Sequence, residues 1–210
     1  MADQEKSYPL SLKGELSEPP SKALWLVKWL LIIPHVVVLA FLWIAFGAVA
    51  VIAFFAILFT GKYPRSLFDF NVGVLRWTWR VGFYSYSALG TDRYPPFTLE
   101  SAEYPADLEV EYPENLSRWL VLVKWFLAIP HYAVLAALAG WGVQQAEAAR
   151  YPEGGLLAVL VAIVACVLLF TGRYHEDIFK LIMGINRWAF RVIAYVGLMT
   201  DRYPHFRLWE

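Results

Sequence analysis

Residues 26–35 read LVKWLLIIPH and residues 122–131 read LVKWFLAIPH. No other feature constrains the fold as strongly, because a sequence written twice asks for the same local structure twice. The correspondence continues in order along the chain. Tyr8, Pro9 and Glu15 return as Tyr104, Pro105 and Glu111, and LFTGKY at 58–63 returns as LFTGRY at 169–174. Gly73, Arg76, Trp77 and Arg80 return as Gly184, Arg187, Trp188 and Arg191, and TDRYP at 91–95 returns at 200–204. A period this long marks a duplicated domain rather than a solenoid unit. The expected units are residues 1–100 and 101–210.

The copies differ chiefly by QQAEAARYPEGG at 144–155, which has no counterpart in the first. Insertions of this kind are tolerated in exposed loops. The insertion therefore predicts a loop after the first apolar helix of copy two, and by correspondence a tight turn near Phe46 and Gly47 in copy one. A membrane span takes about twenty apolar residues, so four spans are expected, at about 22–45, 47–61, 117–142 and 155–172. The rival parse has an interfacial helix, a bend at Pro34 and one long span. It would leave the insertion of copy two in mid-membrane, where unpaired polar backbone is very costly.

So much apolar helix needs an apolar surrounding, and the composition agrees. Hydrophobic residues make up 59% of the 210 and charged residues 17%, against about a quarter charged in soluble domains. Mean hydropathy is +0.48. Ten Trp and twelve Tyr are present, rings that favour the membrane–water boundary. The formal net charge is zero, so no overall field draws the chain to nucleic acid. The opening residues MADQEKSYPLSLKGELSEPP are polar and lack the apolar stretch of a cleavable signal, so targeting is expected from the first span. The single cysteine, Cys166, cannot form an internal disulfide. Of eighteen Lys and Arg, only Arg150 falls in a predicted hairpin loop. The positive-inside rule then places both termini and the central linker in the cytoplasm. Both copies share one orientation, which implies a pseudo-twofold axis along the membrane normal.

A further helix is expected after each hairpin, over about 65–86 and 176–196. Asp69, Gly73, Arg76 and Arg80 recur at three-to-four spacing on one face, as do Lys180, Gly184, Arg187 and Arg191. This reads as an amphipathic helix with a basic stripe, lying in the cytoplasmic interface. The alternative is a third span with buried, paired arginines. Four alternating segments, YPLSLKGE, YPPFTLES, YPADLEVEYP and YPHFRLWE, predict strands of a small sheet, since Tyr-Pro favours extended backbone and strand edges. The expected fold class is mainly α and integral membrane. Its unit is a tandem duplicated transmembrane helical hairpin plus an amphipathic interfacial helix, with a small cytoplasmic antiparallel β-sheet.

Lys28 and His35 lie two helical turns apart and share a face, as do Lys124 and His131. These are candidate intramembrane polar pairs, because ionisable groups are costly in a bilayer and mark paths or ligand sites. In the competing reading the lysines snorkel to headgroups, and the histidines bond backbone groups freed by the adjacent proline. Two histidines alone do not make a transition-metal site; no metal and no cofactor is expected. Arg76 with Arg80, and Arg187 with Arg191, set guanidinium forks one turn apart, suited to lipid phosphates. Internal salt bridges to Asp92 or Asp201 compete with that reading. Asp92 with Arg93, and Asp201 with Arg202, read as turn structure, since Thr-Asp is turn chemistry. The acidic cluster at 100–114 reads as a solvated surface. The sequence holds no Gly-rich phosphate loop, zinc-type Cys/His cluster, HExxH or GxSxG, so no catalytic residue is assigned.

Taken together, LVKWxLxIPH, LFTGKY with LFTGRY, GxxRWxxR and TDRYPxF resemble a bacterial membrane-protein family known as domain of unknown function 4389, present here in two copies. The resemblance covers nearly all of both copies. It implies an integral membrane protein with several helices, and it implies no activity, substrate or catalytic residue; the expected location is the bacterial inner membrane, crossed several times. The leading expectation is a non-enzymatic protein that binds anionic lipid through its Arg helices. It would serve as an accessory or scaffolding subunit, meeting a protein partner through its cytoplasmic sheet. A second reading is a small transporter or channel with Lys28, His35, Lys124 and His131 along its path; four spans are few for a pore, so it would form a homo-oligomer. A third is a lipid-modifying enzyme using Asp92 or Asp201 with a histidine. A fourth is a wedge that bends the membrane through short hairpins.

Overall fold

The computed structural model describes residues 8–16, 21, 23–139, 156–171 and 174–206. Within them the chain runs β1 (Leu10–Gly14), α1 (Trp25–Leu31), α2 (Ile33–Thr60), α3 (Arg65–Tyr84), β2 (Ala106–Val110), α4 (Leu120–Leu127), α5 (Ile129–Ala139), α6 (Leu156–Thr171) and α7 (Glu176–Val196). The protein is mainly helical with one small two-stranded antiparallel sheet.

The first apolar stretch breaks at its proline, not at its glycine. Pro34 sits in the first turn of α2, where a missing N–H costs no helical bond. α2 then runs for 28 residues straight through Phe46 and Gly47. The tight turn expected there is absent, and the expected spans 22–45 and 47–61 are instead a short α1 followed by one long α2. The reason is energetic: a lone glycine in a helix costs about 1 kcal/mol, which a long apolar segment absorbs. α2 stops at Gly61, whose left-handed φ of 74° lets its N–H bond Ile57 O at 2.7 Å. That is the backbone geometry glycine is suited to. In the second copy the chain breaks at the matching place, between α4 and α5, ahead of Pro130. The helix expected over 117–142 is therefore divided, while α6 lies close to the expected 155–172. The insertion at 144–155 falls outside the described residues.

α3 and α7 occupy the stretches expected for the two Arg helices, but in different surroundings. Nearly every side chain from Asn71 to Tyr84 is buried, and α7 is covered in the same way from Ile182 to Tyr195. A helix lying flat in an interface would leave one face open. These two instead form the middle of the protein. They meet where Trp79 packs on Phe190, ring centroids 5.8 Å apart. Each of these residues directly precedes the second arginine of its copy of GxxRWxxR.

The β1–β2 ribbon lies across this pair, in the register Leu10↔Val110, Leu12↔Leu108 and Gly14↔Ala106. Leu10, Leu12, Ala106 and Leu108 turn into the core, and Trp79 Nε1 donates to Lys13 O at 2.7 Å. A Cβ on Gly14 would fall 2.7 Å from Phe83 Cε2 and 2.8 Å from Met183 Cε, so a larger residue there would have to push those side-chain ends aside. Of the four expected strands, YPLSLKGE and YPADLEVEYP supply β1 and β2. YPPFTLES is irregular, as is the described part of YPHFRLWE. In the former, Pro95 and Pro96 remove two ladder donors, and Arg76 and Arg80 take the carbonyls of Thr98, Leu99 and Glu100.

Candidate functional site

The two most repeated motifs turn out to hold each other. Lys28 of LVKW is only 1% exposed. Its ammonium donates to Thr91 O at 2.8 Å and lies 3.0 Å from the Asp92 carboxylate. It also sits 4.6 Å above the Tyr84 ring. Asp92 accepts a second bond from the N–H of Ser21. The same set recurs in the second copy. Lys124 donates to Thr200 O at 2.8 Å, lies 2.7 Å from Asp201 and faces the Tyr195 ring at 5.3 Å, while Ser117 N–H donates to Asp201 at 2.6 Å. A lysine at this depth is tolerated because three kinds of partner compensate it: a carboxylate, a carbonyl and a ring face.

The TDRYP turns are delivered by an unusual backbone. Leu89 and Leu198 adopt φ of 52° and 63°, each ahead of its motif. That geometry costs an L-residue about 1–2 kcal/mol. Both side chains are fully buried, which returns about 1.5–3 kcal/mol and holds the bend. Within the turn, Thr91 Oγ1 accepts from Arg93 N–H at 3.2 Å and Thr200 Oγ1 from Arg202 N–H at 3.1 Å. The tyrosines of the motif reach back to the first helix of each copy. Tyr94 donates to Leu31 O and Tyr203 to Leu127 O, both at 3.1 Å.

His35 and His131 are also fully buried, each under the aromatic end of TDRYPxF. His35 stacks on Phe97 at 3.9 Å and 16°, and His131 on Phe206 at 4.2 Å and 16°. The copies then diverge. Trp77 Nε1 donates to His35 Nδ1 at 3.1 Å, whereas among the described residues neither ring nitrogen of His131 nor Trp188 Nε1 has a hydrogen-bond partner. The same substitution therefore has different consequences at the two sites. His35→Phe keeps the stacking but orphans the Trp77 N–H, an expected loss of about 1–3 kcal/mol. His131→Phe orphans nothing new and is expected to stay within about 1 kcal/mol of the parent. Urea or thermal melts of the two variants side by side measure the difference; equal losses would mean that the Trp77 bond contributes nothing.

The first arginine pair is directed inward. Arg76 Nε donates to Leu108 O at 3.0 Å and lies 3.1 Å from Asp107. Its Nη1 donates to Leu99 O at 3.1 Å. Arg80, fully buried, donates to Glu100 O at 2.7 Å and to Asp107 at 3.3 Å. Burial pushes the Arg80 guanidinium down from its ordinary value, and Asp107 opposes that shift. The pair sews β2 and the 98–100 segment onto α3. Gly73, one turn earlier, permits the approach: a Cβ there would fall 2.8 Å from Leu99 Cβ and 3.0 Å from Leu99 O. In the second copy Arg191 is buried with its guanidinium 5.2 Å from the Tyr8 ring, and Arg187 is half-buried. Ser11 stands where the repeat has Asp107.

These contacts exchange the strands between the copies. Tyr8 donates to Arg202 O at 3.2 Å, and Tyr104 donates to Arg93 O at 2.9 Å. Each strand's opening tyrosine thus binds the TDRYP turn of the other copy. Burial pushes both phenols above their ordinary value.

Several sequence-level assignments move accordingly. Lys28 and Lys124 do not snorkel; they close on Asp92 and Asp201. The partner of Arg76 and Arg80 is not Asp92 or Asp201 but Asp107, from the stretch read as a solvated acidic surface. Alternation in ADLEV puts Asp107 on the face opposite Ala106 and Leu108, together with Glu109, so no local signal singles it out. Tyr84 with Tyr195, Trp77 with Trp188 and Phe97 with Phe206 are partners that motif spacing does not assign, although each recurs in both copies. Among the described residues no cluster of three or more metal-type side chains occurs.

One protein family, described as Domain of unknown function (DUF4389), matches the chain at residues 21–98 and 154–207. The first segment contains Lys28, His35, Arg76, Arg80 and Asp92; the second contains Arg187, Arg191 and Asp201 but begins beyond Lys124 and His131. No curated protein and no solved structure matches.

Proposed function

This chain belongs to the family described as a domain of unknown function, DUF4389, and from its own geometry we propose that it is a non-enzymatic, membrane-embedded protein serving as an accessory or scaffolding subunit. The observation that carries this is α2. It has 28 residues and a mean hydropathy of 2.8 over its most apolar window, of which only 17% is buried by the rest of the chain. At 1.5 Å per residue it is about 42 Å long, more than the ~30 Å of a bilayer's hydrocarbon. A helix this apolar in a soluble core would be covered. Here Phe41, Ile44, Phe55 and Phe59 all stand open. Trp119, Phe126, Ile129 and Ile163 of the second copy stand open as well. Lipid is the medium that makes such an area favourable.

The scaffolding part rests on what the charged groups do. Lys28, Lys124, Arg76 and Arg80 are engaged by Asp92, Asp201 and Asp107. That use is structural, and it leaves Arg76 and Arg80 poorly placed for headgroups. It also disfavours the channel reading, because Lys28 and His35 are sealed by Asp92 and Phe97 rather than facing a path. With one long helix in place of the first hairpin, the parity argument for two cytoplasmic termini no longer holds.

Alkaline carbonate extraction of native membranes tests the embedding. The protein is expected to stay in the pellet and to leave it only with detergent. Release into the supernatant as a folded, monodisperse species would defeat the proposal. Mass spectrometry of the protein isolated in nanodiscs tests the second half; a stoichiometric protein partner is expected.

A further inference from the structure

A cavity of about 950 Å³ opens between α2 of the first copy and α5 and α7 of the second. Its walls are carbon. Gly47 and Ala50 line it from α2, Leu135 and Ala136 from α5, Val192 and Ile193 from α7. Two tryptophans frame it, and their polar atoms are already engaged: Trp43 Nε1 with Thr78 Oγ1 and Trp125 Nε1 with Val196 O, both at 3.2 Å. A ligand here needs no polar complement.

Gly47 keeps the α2 wall of this space low. A glycine in mid-helix costs about 0.5–1 kcal/mol relative to alanine. It usually signals a close neighbour, yet a Cβ added at Gly47 would meet nothing within 4 Å. The residue is small towards a void, not towards a packed wall.

We propose that this groove holds an acyl chain of a membrane phospholipid. The inference rests on the reading that α2 lies in a bilayer, and it adds a specific lipid site to it. Size and continuity both point that way. Cavities of roughly 300–1,000 Å³ are the size that takes a single small molecule. A transmembrane helix about 10 Å across could place only about eight residues in 950 Å³, too short a seat for a protein partner. The groove is continuous with the open apolar belt, since its lining residues Val51, Trp125 and Tyr132 are themselves outward-facing. A lipid chain therefore enters from the belt without crossing a polar rim.

The test is native mass spectrometry of the full chain, delipidated in detergent and titrated with dioleoyl phosphatidylglycerol. The parent and Ile44→Phe, a control at an open position (71% exposed), are expected to hold one phospholipid. Gly47→Phe fills the groove and is expected to weaken that binding about ten-fold or more, the loss expected from excluding roughly two buried methylenes. If Gly47→Phe melts early, Ala136→Leu closes the groove from the opposite wall with the same expected result. Equal binding by all variants, no lipid held by the parent, or a protein cross-linking into the groove would each overturn the proposal. Carbonate extraction of the same proteins separates the two levels: a chain that stays in the membrane but binds no phospholipid sinks the groove alone.

Discussion

Asp92→Ala is expected to destabilise the protein by about 3–5 kcal/mol, the cost of stranding one member of a buried ion pair. The direction of the asymmetry is the sharper expectation. Lys28 is 1% exposed and Asp92 28%. Removing the carboxylate leaves an ammonium with no water to turn to. Removing the lysine, as in Lys28→Met, leaves a carboxylate that water can partly reach and that still accepts the Ser21 N–H; about 1–3 kcal/mol is expected there. The double variant should recover most of the Asp92→Ala loss, because the stranded charge has gone. Urea melts of the parent, both single variants and the double variant in the same detergent give the cycle. A Lys28→Met loss as large as that of Asp92→Ala would contradict the burial argument. The matching cycle at Lys124 and Asp201, where exposures are 0% and 30%, should give the same ordering.

Asp107→Ala is the second large effect, again about 3–5 kcal/mol. One carboxylate compensates two guanidinium groups, and Arg80 has no access to water. Its loss leaves two like charges on adjacent turns of α3 and loosens β2 from that helix. Asp107→Asn keeps an acceptor oxygen and should lose less. Adding Arg80→Met to Asp107→Ala should restore part of the loss, since the buried cation is then gone. Thermal melts rank the three; if Asp107→Ala melts with the parent, the Arg76–Asp107–Arg80 group is not holding the ribbon. Ser11→Ala, at the repeat position of Asp107, provides the contrast and should stay within about 0.5 kcal/mol of the parent.

Much of this arrangement is legible in the sequence. The helices expected at 65–86 and 176–196 appear as Arg65–Tyr84 and Glu176–Val196, because their periodicity is local. The strands at YPLSLKGE and YPADLEVEYP were signalled by alternation and by their prolines. Where sequence and structure differ, the cause is the same. A basic stripe of Arg76 and Arg80 has the same spacing whether it faces headgroups or a strand 30 residues on. Asp107 looked solvated because its neighbours Glu100, Glu103, Glu109 and Glu111 are acidic; only its pairing with α3 distinguishes it from them. The turn at Gly47 was inferred from an insertion in the other copy. An insertion in one relative does not require the other to bend at the same place.

The sequence by itself determined the repeated motifs, the apolar character, the helices that became α3 and α7 and the positions of the polar residues that recur. These are properties of residues and near neighbours, and they need no partner. Tertiary structure alone decided that Lys28 closes on Asp92, that β1 and β2 bind the TDRYP turns across the copies, and that α2 passes Gly47 unbroken over an open groove. Those outcomes depend on desolvation. A buried charge accepts whichever opposite group the packing brings within about 3 Å, and residues that meet there lie up to 77 positions apart.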